Sequence, residues 1–281
     1  MIEYLVFAAV FGLLLLGIHR KVIARIQTRP GPPVWQEILH ALKFSFKSTW
    51  VPKTASGALY VAVVLIGIGI WSAALFVVLA GESILILFAI YMLHKVVEHG
   101  YGLSSGSPYG KFGGVRSVIS AASEIPLFVT NAAIHLFTGS LILRDITAYQ
   151  GVHGPLLLIA PPVAIAMYIV VLSKMPYGPF SIVESKELVS GYKTEHFGVW
   201  RAGLAVTDGL KTFVLLYAFV AIFIGAVPFW AALVIMTAVL ISLSFVCAIT
   251  PMLSPFDSVT IQGLITGLML VYVVCLWWVM P

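Results

Sequence analysis

Long apolar runs recur along the whole chain and alternate with short polar segments. A transmembrane helix needs roughly 20 mostly apolar residues at a rise of 1.5 Å per residue. Lipid cannot satisfy the backbone of open strands, and no alternation of period two runs through these segments. The pattern therefore predicts an all-α membrane protein of about eight transmembrane helices. The predicted spans are approximately 2–22, 57–80, 82–99, 117–143, 155–174, 204–226, 228–249 and 259–280.

The first polar loop contains a helical pattern of its own, from Trp35 to Trp50. Its apolar positions recur at helical spacing on one face, and polar residues such as His40 and Lys43 lie on the other. Prolines at 32, 33 and 52 bracket the segment. This pattern predicts an amphipathic helix in the membrane interface on the cytoplasmic side. Either it is a passive anchor or it is a docking platform for a cytoplasmic partner.

Composition supports the membrane assignment. Of 281 residues, 60% are hydrophobic and 10% are charged, and the mean hydropathy is +1.05. Soluble domains carry roughly 25% charged residues, so a soluble enzyme and a nucleic-acid-binding domain are both excluded. We predict one polytopic membrane domain over residues 1–281, with lipid as a partner and no nucleic acid.

Basic residues are confined almost entirely to alternate loops. Only Arg144 belongs to the other set of loops. Under the positive-inside rule, the first, third and fifth loops are cytoplasmic and both termini lie outside. The basic residues of the cytoplasmic set are Arg20, Lys21, Arg25, Arg29, Lys43, Lys47, Lys53, Lys95, Lys111, Arg116, Lys174, Lys186, Lys193, Arg201 and Lys211.

The fourth predicted span carries a polar stripe close to one helical face. Pro126 follows Glu124 by two residues and would free the carbonyl of Ala122. An ionisable residue inside a membrane segment is costly unless it is paired or hydrated, and it commonly marks an ion or proton path. The alternative is a structural helix contact with a paired glutamate. The stripe consists of Arg116, Ser120, Glu124, Asn131, His135 and Thr138.

Two further polar groups lie near the cytoplasmic ends of predicted spans. His94 and Glu98 are four residues apart, as are Lys95 and His99, so both pairs can meet on a helix surface. This group could be a protonatable relay or an interfacial salt-bridge cluster, whereas a zinc site would lack a third and fourth ligand. Asp208 and Lys211 form a similar pair that is structural when taken alone.

The chain is not expected to bind a redox cofactor itself. Two cysteines are too few for an iron–sulfur site, and only His135 lies well inside a span, which does not support bis-histidine haem ligation. Motifs for phosphate loops, nucleophile–base pairs and zinc ligation are missing from the sequence.

Loop motifs resemble those of a known family, the complex I subunit 1 family. Residues 25–32, Arg-Ile-Gln-Thr-Arg-Pro-Gly-Pro, resemble its R-x-Q-x-R-x-G-P signature after the first span. Residues 114–124 look like its segment from an arginine to a buried glutamate. Residues 178–198 resemble its P-F-D … E-L-x-x-G-Y-x-x-E-Y-x-G loop. The family includes the membrane subunits of NADH–quinone oxidoreductase and of related energy-converting, membrane-bound hydrogenase-type complexes.

The sequence departs from the family pattern at a few loop positions. Ser181 stands where the family usually has aspartate, as does His40 in the amphipathic helix, and His196-Phe197 replaces the usual Tyr-Ser. Lys186 lies in a stretch that is normally acidic. These positions are where the family contacts its redox subunits or quinone, so they favour a hydrogenase-like or ferredoxin-linked complex.

The resemblance implies a membrane anchor and coupling subunit of an ion-translocating oxidoreductase in a prokaryotic cell membrane. Its partners would be a cytoplasmic redox arm that holds iron–sulfur clusters, with a NiFe-type site in a hydrogenase-like arm, and antiporter-like and small membrane subunits. Proton and sodium translocation both stay open. Rival hypotheses are a structural scaffold that docks the arm, the quinone-site subunit of a respiratory NADH dehydrogenase, and an independent transporter, whose expected inverted repeats are not visible.

Two sets of residues follow from that hypothesis. The predicted ion-coupling residues are Glu98, Glu124, His135, Glu184, Glu187 and Asp208. The predicted contacts to the peripheral arm are Arg25, Arg29, Gly31, Pro32, Lys43, Arg116, Pro179, Phe180 and Glu195.

Overall fold

A computed structural model describes residues 2–121, 124–184 and 191–279. Helices and short connections make up this part of the chain. The helices are α1 Ile2–Ile26, α2 Gln36–Ser45, α3 Gly57–Ala80, α4 Ile84–Ser104, α5 Pro108–Ser120, α6 Glu124–Thr138, α7 Leu143–His153, α8 Leu156–Ile159, α9 Pro161–Leu172, α10 Val199–Phe223, α11 Phe229–Ile249 and α12 Pro255–Val279. Two short 3₁₀ turns, Ile182–Glu184 and Gly191–Glu195, lie between α9 and α10.

The predicted all-α membrane fold is confirmed. Among the described residues, seven helical stretches are long and apolar enough to cross a membrane. They are α1, α3, α4, the stretch Pro108–Thr138 that holds α5 and α6, α10, α11 and α12. Helix α9 is apolar but shorter, at 12 residues. Together these elements agree with about eight spans.

The predicted fifth span, 155–174, is not one continuous helix. It divides into α8 and α9 at Ala160, whose backbone (φ −131°, ψ 63°) is not helical. Pro161 and Pro162 begin α9, and a proline ring clashes with a helical conformation at the preceding residue. Hydropathy detected the apolar run correctly, but it could not register this interruption.

The predicted amphipathic helix is also shorter than expected, because it ends at Ser45 and not at Trp50. The residues that follow Ser45 instead contact the fifth loop and the start of α10. The Trp50 ring stacks on Phe197 with centroids 4.2 Å apart, and the Val199 amide donates to Thr49 Oγ1 at 3.1 Å. The exposed apolar residues Trp35 and Leu39 remain on an outer face, as an interfacial helix requires.

Helix α10 lies at the centre of the bundle and packs against α1, α2, α3 and α11. Its contact with α1 is close because glycines meet there. A Cβ added at Gly12 would lie 2.0 Å from the Gly209 carbonyl oxygen. Small residues allow the backbones of membrane helices to approach in this way. The fully buried Trp71, Phe213 and Phe223 fill the core around this axis.

The first, third and fifth loops (residues 27–56, 105–107 and 173–198) meet at one end of the bundle, which we call the basic end. Tyr60 donates to the Glu195 carbonyl at 3.0 Å, and Ser107 donates to the Glu195 carboxylate at 2.8 Å. The Ser56 amide donates to the Ser104 carbonyl at 3.0 Å. At the opposite end, an isolated bridge joins Ser83 and Ile142. The alternate loops identified from charge therefore converge in space.

We predict that the basic end faces the cytoplasm. Lys53 is exposed at the basic end, and Val152 is 81% exposed near the opposite end. In a background with Cys247→Ala and Cys275→Ala, an impermeant maleimide should label a Val152→Cys variant in intact cells. A Lys53→Cys variant should be labelled only after the membrane is opened, because basic loops are retained in the cytoplasm. Labelling of Lys53→Cys in intact cells would reverse the orientation.

Candidate functional site

A cavity of about 190 Å³ opens at the basic end. Helices α1, α2, α4 and α10 line it together with the fifth loop. Its wall is unusually rich in charge for a space beside membrane helices. The ionisable lining residues are Arg20, Glu37, His40, Lys95, Glu98, Lys174, Tyr177, Tyr192, Lys193, Arg201, Asp208 and Lys211.

Glu98 is the centre of one buried group in this wall. Lys95 Nζ lies 2.5 Å from its Oε2, Ser117 Oγ donates to the same oxygen at 3.0 Å, and His94 Nε2 lies 3.1 Å from Oε1. Lys95 also donates to Ser120 at 2.6 Å. Helical spacing on α4 brings three of these side chains to one face, and α5 supplies the two serines. A carboxylate in such a place is stabilised by charge and by hydrogen bonds together.

His94 is oriented by a second contact on its other nitrogen. Trp71 Nε1 is only a donor, and it lies 3.1 Å from His94 Nδ1, which must therefore accept. In the neutral ring the proton is then on Nε2, which faces Glu98. The indole thus selects the tautomer that carries its proton on the nitrogen nearer to the carboxylate.

The predicted pairing of Lys95 with His99 does not form in the described chain. Lys95 turns toward Glu98, and His99 Nδ1 lies 3.0 Å from the Gly114 carbonyl oxygen. A lysine three residues before a buried carboxylate gains more from the negative charge of that carboxylate than from an imidazole ring. The predicted pairing of His94 with Glu98 does form.

Asp208 is the centre of a second group on α10. Lys211 Nζ lies 2.7 Å from Oδ1, as the spacing of three predicts. Lys193, from the 3₁₀ turn of the fifth loop, lies 2.6 Å from Oδ2. The pair predicted from sequence is therefore part of a triad that ties the fifth loop to the central helix.

Glu124 lies beside the cavity and is half-buried. It is within electrostatic reach of Lys174, Lys95 and Glu98, and its buried Oε1 has no hydrogen-bond partner among the described residues. Ala122, whose freed carbonyl was predicted next to it, lies outside the described residues.

Of the rest of the predicted polar stripe, Ser120 lies in the cavity wall with Lys95, whereas the other members lie elsewhere. Asn131 is buried at the level of α4 and α9, and it lines a different, small cavity. His135 is exposed, and Thr138 donates to the backbone carbonyls of Ile134 and Ser140. Arg116 donates to the Ile182 carbonyl at 3.3 Å and so contacts the fifth loop.

Predicted arm-docking residues fall into two groups. Arg25, Arg29 and Lys43 are exposed at the basic end. The turn that presents Arg29 is built by local contacts: Lys21 donates to the Pro30 carbonyl at 2.9 Å, and Gly31 adopts φ +66°. Pro32 is partly exposed in the same turn.

Other predicted docking residues are engaged within the chain. Pro179 and Phe180 are buried, and Phe180 lines the cavity. Glu195 accepts from Ser107 at 2.8 Å. Glu184 ends a 3₁₀ turn in the described backbone. Glu187 and Lys186 lie outside the described residues.

Residues that depart from the family pattern have local structural roles. Ser181 accepts from the Gly178 amide and donates to the Met175 carbonyl, both at 2.9 Å, and so closes the turn after α9. The His196 ring stacks on Tyr60 with centroids 4.4 Å apart. Its Nδ1 donates to the Tyr192 carbonyl at 3.0 Å. These contacts fix the fifth loop against α3 and α4.

Sequence reasoning missed Lys193 of the Asp208 triad, and it also missed Glu37 and Lys174. Glu37 on α2 forms an ion pair with Arg20 of α1 across the cavity. Lys174, just after α9, is 7% exposed, and its Nζ lies 4.4 Å from the Tyr91 ring centroid. A lysine directly after an apolar run is the usual sign of the cytoplasmic end of a transmembrane helix, so the sequence gives no reason to place it in a site. Its burial depends on the fold of the fifth loop.

Within residues 2–121, 124–184 and 191–279, groups of three or more His, Cys, Asp or Glu side chains that could hold a metal ion are not found. That the chain carries no redox centre of its own stays a prediction.

Comparisons with known proteins agree with this architecture. A family model described as NADH dehydrogenase matches residues 1–280. The chain is 49% identical over 273 residues to a "Putative NADH-ubiquinone oxidoreductase" of Methanocaldococcus jannaschii, covering 96% of this chain and 92% of that protein. It is 28% identical over 242 residues to an NADH-quinone oxidoreductase subunit of Bacillus cytotoxicus, covering 77% of this chain and 71% of that protein.

A solved structure is also similar. A chain of the membrane-bound sulfane sulfur reductase, an archaeal respiratory membrane complex, matches with a TM-score of 0.87 and 25% identity, covering 97% of both chains. The chain therefore belongs to the NADH dehydrogenase family, as a multi-pass membrane subunit of the complex I-like type. The family resemblance in the loop motifs is confirmed.

Burial of His196 predicts an acid-sensitive fifth loop. Desolvation lowers the pKa of His196 to about 4, against roughly 6.5 in an unfolded chain. As pH falls from 6.5 to 4, the unfolded state takes up the proton first, so stability falls by up to roughly 3 kcal/mol. Above pH 6.5 this contribution is constant.

The measurement is the thermal unfolding midpoint of the purified complex between pH 7.5 and 5. A His196→Phe variant, which keeps the ring stack, should show a smaller loss of midpoint on acidification than the wild type. Equal losses in the two proteins would show that His196 does not titrate in this way.

Proposed function

We propose that the chain is the anchor and coupling subunit of an ion-translocating, complex I-like oxidoreductase. In this proposal a cytoplasmic redox arm with iron–sulfur clusters docks on the basic end. Charge changes in that arm reach the groups centred on Glu98 and Asp208 through the fifth loop. The observation that carries the proposal is that buried ionisable groups from several elements line one cavity at the end where the loops meet.

The contacts around the cavity support a coupling role because they join loops to helices by charge. Lys193 of the fifth loop holds Asp208 of α10, so a displacement of the loop would remove one of the two cations around this partly buried carboxylate. Asp208 would then be held by Lys211 alone, and the weaker compensation of its charge costs free energy. Uptake of a proton or another cation relieves that cost. A modest loop movement could thus drive a change of protonation.

The Glu98 group provides the next step inward. Lys211 lies within electrostatic reach of both Glu98 and His94, so a change at Asp208 and Lys211 alters the field at Glu98. Glu124 is in turn coupled electrostatically to Glu98 and Lys95. This order leads from the fifth loop through the Asp208 and Glu98 groups to Glu124. Allosteric coupling of this kind requires two states of the loop with different charge contacts.

A purely structural scaffold is the second candidate, favoured by the hydrogen bonds and ring stacks that rigidify the fifth loop. The two candidates differ in what they require of the buried carboxylates. A scaffold requires only that the negative charge of Glu98 be compensated, whereas a coupling subunit requires that the charge of Glu98 change during turnover.

We predict that Glu98→Gln uncouples ion translocation. Glutamine keeps the size and can keep hydrogen bonds, but it cannot release a proton. Ion translocation per electron transferred, measured in sealed vesicles, should fall to near background, with assembly intact on native electrophoresis. A Glu82→Gln variant is the matched control, because Glu82 is exposed at the opposite end.

The double variant Lys95→Met with Glu98→Gln removes both members of the pair and avoids an unpaired lysine. It should be uncoupled to the same extent. Normal translocation per electron in either assembled variant would favour the scaffold. Asp208→Asn is expected to give the same phenotype as Glu98→Gln.

We predict that Arg29→Glu weakens attachment of the peripheral arm. Arg29 is presented by a rigid turn on the exposed basic end, and a reversed charge would repel an acidic partner surface. The ratio of peripheral subunits to this chain should fall when the complex is purified in 150–300 mM salt. Arg144→Glu, at the opposite end, should leave it unchanged. An unchanged ratio in the Arg29→Glu complex would place the arm elsewhere.

A further inference from the structure

We propose that the cavity at the basic end binds a compact oxyanion of the phosphate class. The site lies in the cavity that the proposed coupling role uses, but anion binding does not depend on that role, since it concerns the charge that the ion pairs of the cavity leave uncompensated.

The described lining of the cavity has an excess of positive charge. Six cationic side chains face three carboxylates, those of Glu37, Glu98 and Asp208. Each carboxylate is already held by a cation of its own. The six cations are Arg20, Lys95, Lys174, Lys193, Arg201 and Lys211.

Two of these cations have no ion-pair partner among the described residues. Lys174 is 7% exposed, and its buried Nζ has no hydrogen-bond acceptor there. It lies over the face of Tyr91, which stabilises a cation but cannot neutralise it. Arg201 lies over the Phe44 ring, with its Cζ 5.6 Å from the ring centroid. An unpaired cation in a buried place is costly, and a bound anion would remove that cost.

The chemistry of the wall suits an oxyanion. A guanidinium donates in a planar fork and an ammonium acts as a point charge, and both are common phosphate ligands. A volume of about 190 Å³ is several times the roughly 30 Å³ that one water molecule occupies in the liquid. A phosphate group therefore fits with water around it.

Two sources of that phosphate are sterically open. Helix α2 has exposed apolar residues such as Trp35 and Leu39 on one face, and it brings Glu37 and His40 to the cavity from the other. An interfacial helix lies at the level of lipid headgroups, so the phosphate of an anionic lipid is within reach. Free inorganic phosphate from the aqueous side is the other source.

The test uses the purified intact complex after delipidation. Binding of radiolabelled inorganic phosphate is measured by equilibrium dialysis, with chloride held at constant ionic strength. Retention of phosphatidylglycerol is measured by native mass spectrometry after reconstitution in vesicles of that lipid. Saturable phosphate binding identifies a free anion, and a retained lipid identifies a headgroup. Either result supports the site.

Four variants assign the binding to the cavity. Lys174→Met should weaken binding roughly tenfold or more, as expected for loss of a hydrogen bond to a charged group, and Lys174→Arg should restore it. Lys43→Met removes an exposed lysine outside the cavity and should have no effect. If Lys174→Met fails to assemble, Arg201→Gln gives the same comparison.

If the cavity binds no anion, the same variants should behave differently. Without an anion, Lys174 is an unpaired buried charge, so Lys174→Met should raise the unfolding midpoint, and phosphate should shift neither protein. The proposal would be overturned if the wild type bound neither phosphate nor lipid. It would also be overturned if the wild type, Lys174→Met and Arg201→Gln bound the anion equally well.

Discussion

Charges buried beside apolar helices need partners supplied by the protein, and much of the polar architecture follows from that requirement. Lipid solvates neither ions nor free backbone groups. Glu98 is therefore surrounded by Lys95, Ser117 and His94, and Asp208 by two lysines. One of those lysines comes from the fifth loop, so compensation of a helix charge also fixes the loop.

In the function we propose, this arrangement links stability to coupling in one set of contacts. The ion pairs that hold the basic end together are, in that proposal, also the contacts through which a docked arm alters charge inside the bundle. A rigid loop is an advantage for such a role, because a displaced lysine then has a defined effect on its carboxylate. The ring stacks of Trp50 on Phe197 and of Tyr60 on His196 provide that rigidity.

Hydropathy and spacing predicted the helices well because bilayer thickness and helical periodicity impose local patterns. The pairs His94–Glu98 and Asp208–Lys211 were predictable for the same reason, since each lies on one helix. The break at Ala160 depends on proline sterics, and the residues that follow the early end of α2 at Ser45 instead contact the fifth loop. Lys193, Glu37 and Lys174 join the site from different elements. The amino-acid sequence contains no local signal that these three residues come together in the fold.

We propose that Glu98 changes its charge during turnover, and infrared difference spectroscopy of the reduced and oxidised complex can detect that change. We expect a carboxyl band in the wild-type spectrum that is absent from the Glu98→Gln spectrum and retained in Glu82→Gln. Identical carboxyl bands in all three proteins would contradict it, and Glu98 would then be a structural ion-pair residue.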